Sequence, residues 1–179
     1  MKNKIVAFLS LITLSTLANT IVTTKWEVPS QVRNIVKANI IEMSKGVTYE
    51  AYPDAETLIL DSVTYESYNT DGTSVIYDDT YTLILTEKGK RSESVASLHY
   101  NAFYGSIEII AAEILQSNGN TVQIDLSTHA KIMVDPGYMG ANIYDPNDKI
   151  LRIAYPDLEI GDIVRLAFKR TNAKSRIPK

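Results

Sequence analysis

The sequence predicts an all-β fold, a two-layer antiparallel β-sandwich with a short N-terminal helix. From Thr57 onward, apolar and polar residues alternate, and short runs rich in Thr, Tyr, Val and Ile recur at fairly even spacing. Between these runs we find no amphipathic stretch long enough for the crossover helices that a parallel sheet requires. Two antiparallel sheets that bury their apolar faces against each other account for both observations.

The chain begins with a pattern typical of an export signal. Lys2 and Lys4 precede an apolar run from Ile5 to Leu17, and small residues follow up to Ala18. The run is shorter than the roughly 20 residues that a membrane-spanning helix needs, which favours cleavage after Ala18 over a membrane anchor or an N-terminal strand. No cysteine is available for lipid attachment. We therefore expect a Sec-type signal peptide without a lipobox over residues 1–18. The mature protein would be periplasmic or secreted, with no membrane span after removal of the signal.

Residues 19–50 are predicted to be a leader that contains the short helix. Seven positions recur at spacings of three and four, as on one helical face. They are Val28, Val32, Ile35, Val36, Asn39, Ile40 and Met43. Pro29 and Ser30 suit the start of a helix, and Gly46 suits its end. Such a helix could dock a partner. We favour the alternatives that it packs on its own domain or belongs to a poorly ordered leader.

Residues 51–172 are predicted to form the sandwich, and residues 173–179 a C-terminal linker. The predicted strands are Thr57–Glu66, Ser74–Thr86, Ser92–Tyr100, Ser106–Leu115, Thr121–Leu126, His129–Val134, Lys149–Tyr155 and Ile163–Lys169. Turn-forming residues separate them, as at Asn69–Gly72, Glu87–Lys90 and Ser117–Asn120. At the last corner, Gly161 permits unusual backbone angles and Asp162 can accept hydrogen bonds from nearby N–H groups, which is a folding role.

Composition excludes several classes of function. The net charge is −3 and no Lys/Arg cluster is present, which argues against a nucleic-acid partner. The absence of cysteine excludes a disulfide, a thiolate zinc site and a thiol nucleophile. Apolar burial alone must therefore stabilise the core.

Few side chains suggest chemistry. His99 and His129 are the only histidines, and no Gly-x-Ser-x-Gly elbow presents a serine to them. Asp78–Asp79 and Asp145–Asp148 are acidic, but a calcium ion wants six to eight oxygen ligands, and Asp145–Asp148 is more simply a turn. We assign no catalytic, cofactor-binding or metal-binding residue, and no cofactor.

The eleven tyrosines are the feature of the composition that could indicate binding. All lie from Tyr49 onward, and Tyr100 and Tyr104 are close to Phe103. Exposed aromatic rings can stack on sugars or anchor a partner. Tyrosine is also a favoured strand residue, so we favour positions in the core or on the sheet faces.

Four segments, taken in order, resemble a bacterial family known as domain of unknown function 3857. They are Tyr52–Leu60, Tyr81–Gly89, Ile107–Asp125 and Pro156–Val164. The first is similar to the opening strand of the family. The third is similar to its central "strand, polar turn, strand" and the fourth to its closing motif of proline, leucine, glutamate, glycine and aspartate. The resemblance covers Tyr52 to Arg170.

The resemblance implies both fold and function. In that family the module is typically the N-terminal β-sandwich of longer exported proteins, and a transglutaminase-like domain with a Cys-His-Asp site usually follows. This chain has no cysteine, so no catalytic residue is transferred to it. The resemblance implies a non-catalytic accessory or scaffold module, not an enzyme, whose partner is the adjoining transglutaminase-like domain or another envelope protein. The alternative is a free-standing module that binds a glycan or peptide of the cell envelope through exposed tyrosines.

Overall fold

The structure of the protein, a computed structural model, describes residues 22–23, 37–137, 140 and 144–175. In chain order, the elements are β1 Val22–Thr23, α1 Lys37–Ser44, β2 Thr57–Tyr68, β3 Ser74–Ile84, α2 Glu87–Glu93, β4 Val95–Asn101, β5 Gly105–Leu115, β6 Thr121–Gln123, α3 Leu126–His129, β7 Ala130–Val134, β8 Asp148–Ala154 and β9 Ile163–Asn172. The predicted signal peptide (1–18) lies outside the described residues. Within them, no helix has both the length and the apolar character that crossing a membrane would take.

The strands form two sheets. The larger sheet has six strands: β1, β5, β9, β3 and β2 lie side by side in that order, and β6 pairs with β5. The smaller sheet has three, in the order β4, β8 and β7. Neighbouring strands are antiparallel, except that β1 runs parallel to β5. The predicted two-layer antiparallel β-sandwich is confirmed.

The main hydrophobic core lies between the two sheets. Alternate residues of β9 (Val164, Leu166 and Phe168) face Leu98 of β4 and Ile153 of β8 across it. Complete burial of an aliphatic side chain stabilises the fold by about 1.5–3 kcal/mol. Because side chains alternate along a strand, these positions define the inner face of the larger sheet, and the intervening residues lie on its outer face.

A second, smaller hydrophobic cluster covers one end of the outer face. Tyr81 and Leu83 of β3 and Ile163 of β9 meet Ile40 of α1, which is completely buried. The described part of the predicted N-terminal helix therefore packs on its own domain. The helix ends at Ser44, close to Gly46 with φ of +79°, as the sequence indicates. The first half of the predicted helix, before Lys37, lies outside the described residues.

The inner face of the larger sheet is polar along β2 and the adjoining part of β3. Ser62 lies 3.0 Å from Thr80, hydroxyl to hydroxyl, and Thr64 donates to Asp78 at 2.8 Å. These pairs join residues directly opposite each other in the β2–β3 register. We call these four residues the polar strip.

Several predicted strands differ from the observed ones at one end, and in two of them a helix cap is the reason. The start of Ser92–Tyr100 belongs to α2, because Thr86 accepts the Gly89 N–H at 3.0 Å and caps a helix where we expected only a corner. Thr121–Leu126 ends at Gln123, because Asp125 accepts the Ser127 N–H at 3.0 Å and begins α3.

Candidate functional site

The two histidines do not form hydrogen bonds with a hydroxyl group in the described part of the chain. His99 Nδ1 lies 2.6 Å from Asp135 Oδ2, and Asp135 Oδ1 accepts the N–H of Gly137 at 2.9 Å. The hydrogen bond with His99, followed by that from Gly137, holds the pKa of Asp135 below its usual range. His129 is the last residue of α3, which Asp125 caps. His99 therefore fastens β4 to the residues that follow β7.

The acidic segment before β8 is a turn, as predicted. Asp145 Oδ1 accepts the backbone and side-chain N–H groups of Asn147 at 2.9 and 2.8 Å. Asn101 donates to Asp145 Oδ2 at 3.0 Å and to Asp148 Oδ1 at 2.7 Å, which ties the end of β4 to this turn. The backbone hydrogen bond from Asn147 is the largest of the effects that lower the pKa of Asp145. Across the described residues, His, Cys, Asp and Glu form no group of three suited to a metal ion.

Asp78 and Asp79 lie on opposite faces of β3. Asp78 belongs to the polar strip. Asp79 lies on the outer face and is 3 % exposed. Adjacent strand residues alternate between faces, so the pair predicted from sequence as one acidic cluster divides into two separate carboxylates.

Arg165 of β9 crosslinks three strands on the outer face. It donates to Asp79 of β3 from Nε at 3.1 Å and from Nη2 at 2.8 Å, and from Nη1 to Glu113 of β5 at 3.2 Å. Gln123 of β6 donates to the other oxygen of Glu113 at 2.7 Å. The guanidinium carbon lies 5.2 Å from the centre of the Tyr81 ring. We call Asp79, Glu113 and Arg165 the outer-face ion cluster.

The corner before β9 has the role that the sequence predicts. Asp162 is 3 % exposed. It accepts the N–H of Ser117 at 3.1 Å and that of Glu159 at 3.0 Å. Gly161 has φ of +94°, a backbone angle that residues other than glycine rarely adopt. Asp162 therefore holds two loops together.

The described tyrosines lie in the core or at the surface, except that Tyr100 and Tyr104 are half-buried. Tyr77, Tyr81 and Tyr155 are buried, and burial is the main reason that the pKa of Tyr155 is raised. The exposed ones are Tyr49, Tyr52, Tyr65, Tyr68 and Tyr144. Tyr138 lies outside the described residues. Both interpretations of tyrosine therefore apply, each to part of the set.

Two cavities meet at one end of the sandwich, on either side of Arg170. The larger, of about 400 Å³, is the Arg170 cavity; its lining includes Glu66, Tyr68, Ser74, Arg170, Asn172 and Lys174. The smaller, of about 60 Å³, is lined in part by Tyr100, Tyr104, Ser106 and Arg170. Arg170 therefore reaches both.

Two rows of side chains across the larger sheet build the Arg170 cavity. In the first row, Glu66 of β2 is opposite Ile76 of β3, which is opposite Arg170 of β9. In the second row, Tyr68, Ser74 and Asn172 are opposite one another in the same order of strands. Arg170 and Asn172 lie on the same inner face of β9 as Phe168, since alternate residues of a strand lie on one face. Tyr68 and Ser74, which are opposite Asn172, share that face. Asn172 donates to Ser74 at 2.8 Å, which fixes the floor of the cavity.

The cavity lining contains two cations, Arg170 and Lys174, and neither forms an ion pair with a carboxylate within the described part of the chain. Arg170 Nε is buried without a hydrogen-bond partner, and its guanidinium carbon lies 5.9 Å from the centre of the Phe168 ring. Lys174 Nζ lies 3.6 Å from the centre of the Phe103 ring. Glu66 instead accepts a hydrogen bond from the Tyr68 hydroxyl, which raises the pKa of Tyr68. The cavity therefore offers a positive group that its own acid does not neutralise.

Sequence reasoning missed Arg170, although a signal was present. Val164, Leu166 and Phe168 form an apolar series with a period of two, and Arg170 continues this series at the next inner-face position. A charged residue that follows in phase with core residues indicates either a buried ion pair or an opening in the core. Here the structure shows the opening.

Comparison with known proteins identifies the family and one similar fold. A family model described as a domain of unknown function with a solved structure, DUF3857, matches residues 70–179. The crystal structure of a "putative protease" from Parabacteroides distasonis ATCC 8503 is similar at a TM-score of 0.57 and 16% identity, over 64% of this chain and 23% of that one. This chain thus spans less than a quarter of the length of that protein. The likeness supports a shared fold.

Two carbohydrate-binding modules are more distant. They are family 3a modules from the CipA scaffoldin of the Clostridium thermocellum cellulosome, with TM-scores of 0.33 and 0.31 at 16% and 18% identity. The matches cover 65% and 62% of this chain and 68% and 74% of those chains. Their TM-scores are too low to establish a common fold. No curated protein matches the chain.

Proposed function

The chain belongs to the DUF3857 family, and we propose that it is a non-catalytic β-sandwich module of an exported bacterial protein. Its role is to support an adjoining domain, of the transglutaminase-like class that its sequence resemblance implies. The observation that carries this proposal is that the same fold occupies 23% of a much longer chain.

The use of polar side chains within the domain supports a structural role. Asp162 holds a corner, Asn101 ties β4 to the turn before β8, and the outer-face ion cluster joins three strands. A module built in this way is a rigid support to which a neighbouring domain can attach.

Export is tested by the mature N-terminus. We expect the protein, produced with its own first 18 residues in a Gram-negative host, to appear in the periplasmic fraction with Asn19 as its first residue. Mass spectrometry of the intact protein measures this. A Leu11→Arg variant, which interrupts the apolar run, should remain in the cytoplasm at full length. Full-length wild-type protein in the cytoplasm would contradict export.

The accessory role is tested on the adjoining domain itself. The reading frame after Lys179 and the neighbouring genes should encode a domain with a cysteine and a histidine of the transglutaminase-like class. That domain is then purified with and without the module, and its thermal midpoint and its turnover of a glutamine-containing peptide are compared. We expect the module to raise the midpoint or the turnover. Identical values in both preparations would contradict the accessory role.

A second candidate function is favoured by one observation. Tyr68, which is 71 % exposed, stands at the edge of a cavity of about 400 Å³ that also contains Arg170. Volumes of this size are usual for ligand sites. We propose envelope glycan or peptide binding as this second function, which is compatible with a support role.

A further inference from the structure

We propose that the Arg170 cavity binds a short peptide through its free carboxylate, with the Arg170 guanidinium as the group that receives it. This inference rests on the second candidate function and specifies its ligand class. It does not depend on the accessory role.

The unused hydrogen-bonding capacity of Arg170 is the first argument. Its Nε is buried without a partner, and a buried polar group that makes no hydrogen bond is costly. A carboxylate can accept two parallel hydrogen bonds from one guanidinium, and this fork geometry is the reason that arginine is favoured for carboxylate recognition. A ligand carboxylate in the cavity would accept from the Nη groups of this guanidinium and supply the anionic partner that Arg170 lacks among the described residues.

The surroundings of Arg170 strengthen the attraction for an anion. Lys174 adds a second cation to the lining, whereas the chain as a whole has a net charge of −3. The local excess of positive charge therefore opposes the overall charge. The larger sheet covers one side of this cavity and partly excludes water, so a charge pair formed here is stronger than one in bulk water.

Glu66 determines the orientation of a bound peptide. Glu66 and Arg170 lie in one row, with Ile76 between them, so their backbones are two strand spacings apart, about 10 Å. An extended tripeptide spans up to about 10 Å. A peptide with its carboxylate on Arg170 can therefore place its ammonium group near Glu66, which lines the same cavity.

This arrangement favours a peptide over an acidic sugar. A sugar acid has a carboxylate for Arg170 but no cation for Glu66. Tyr68 and Asn172 in the neighbouring row supply a ring and an amide for peptide groups. The ligand is thus a zwitterion, and both of its charges contribute to recognition.

The test uses trialanine, its C-terminal amide and its N-acetyl derivative as probes, with trigalacturonate as the sugar acid. Isothermal calorimetry on the full chain at low ionic strength measures affinity. We expect saturable binding of trialanine and at least tenfold weaker binding of the amide, because the amide lacks the charge-assisted hydrogen bonds. Added salt should weaken trialanine binding.

Two variants assign the ends of the peptide. Arg170→Gln should weaken the binding of trialanine at least tenfold. It should bind the amide no worse than wild type does, since the substitution and the amidation remove the same interaction. Glu66→Gln should weaken the binding of trialanine severalfold but leave the affinity for N-acetyl-trialanine, which has no ammonium group, unchanged. Lys131→Gln is the matched control: Lys131 is exposed on β7 in the smaller sheet, and its loss should change affinity less than twofold. If Arg170→Gln fails to fold by circular dichroism, the comparison of trialanine with its amide on wild type carries the test.

Each outcome decides the proposal. Equal affinity for trialanine and its amide would overturn it, and so would trigalacturonate binding without trialanine binding. A neutral glycan or peptide that binds wild type and Arg170→Gln equally would overturn the carboxylate site but keep the second candidate function. Failure of every probe and of a broad panel of envelope fragments would overturn both, and the accessory role would still stand on its own test.

Discussion

Replacement of Arg165 by methionine tests whether the outer-face ion cluster stabilises the larger sheet. Methionine retains much of the volume of the arginine stem but removes the guanidinium. The side chains of Arg165, Asp79 and Glu113 are 13%, 4% and 6% exposed. The charges therefore lie largely away from solvent, where loss of one member has its greatest effect.

The expected loss follows from these contacts. Arg165 makes two hydrogen bonds to Asp79 and one to Glu113, all charge-assisted. Removal of one partner from a buried ion pair typically costs about 3–5 kcal/mol. A domain of this size loses roughly 2–4 °C in melting temperature for each kcal/mol. We therefore expect the melting temperature to fall by about 6–20 °C.

Urea unfolding at pH 7, followed by far-UV circular dichroism, measures the change in free energy of unfolding. Arg152→Met is the matched control, because Arg152 is exposed on β8 and should change stability by less than about 0.5 kcal/mol. A triple variant, Asp79→Leu with Glu113→Leu and Arg165→Met, should recover most of the loss, since apolar side chains can replace a buried ion cluster. A loss below about 1 kcal/mol for Arg165→Met alone would refute the reasoning.

Three further predictions concern single sites, and urea unfolding measures each of them. Asp162→Ala should lower the free energy of unfolding by about 2–4 kcal/mol, because the N–H groups of Ser117 and Glu159 lose their buried acceptor. A loss under about 0.5 kcal/mol would contradict the role of Asp162 in holding the corner. Gly105→Ala should cost about 2 kcal/mol or more, because its Cβ would lie 2.0 Å from the Thr171 carbonyl oxygen, whereas Gly140→Ala, whose Cβ meets nothing within 4 Å, should be nearly neutral. Asp135 has a lowered folded-state pKa, so the stability it contributes is complete above its ordinary value of 3.8 and is lost as the pH falls through the folded value. The difference in the free energy of unfolding between wild type and Asp135→Asn should therefore narrow as the pH falls below 3.8, and a constant difference would contradict the assignment.

Much of the fold follows from the sequence because strand alternation and turn chemistry are local signals. The run Ile163–Lys169 has apolar residues at the alternate positions Val164, Leu166 and Phe168, and the structure has a strand there. The helices α2 and α3 were missed because each depends on one capping side chain, Thr86 or Asp125, in a segment too short to show helical periodicity.

The candidate site could be predicted only in part. The sequence indicates the role of Asp162 because one partner, Glu159, lies in the same corner, whereas the bond from Ser117 depends on the pairing of distant strands. The Arg170 cavity depends instead on register, since Glu66, Ile76 and Arg170 are far apart in sequence and meet only when β2, β3 and β9 align. Alternation gives the face of a residue, but pairing of distant strands determines its neighbours.

The placement of Asp78 and Asp79 on opposite faces restricts how this domain can change in length. A single-residue insertion in β3 before Asp78 would turn the following residues over, moving Asp79 away from Arg165 to the inner face and taking Tyr81 and Leu83 out of their contacts with Ile40. It would also break the alignment with both neighbouring strands at once. We therefore expect length differences among homologues to accumulate in hairpin tips such as Asn69–Gly72, and β3 itself to keep a fixed residue count.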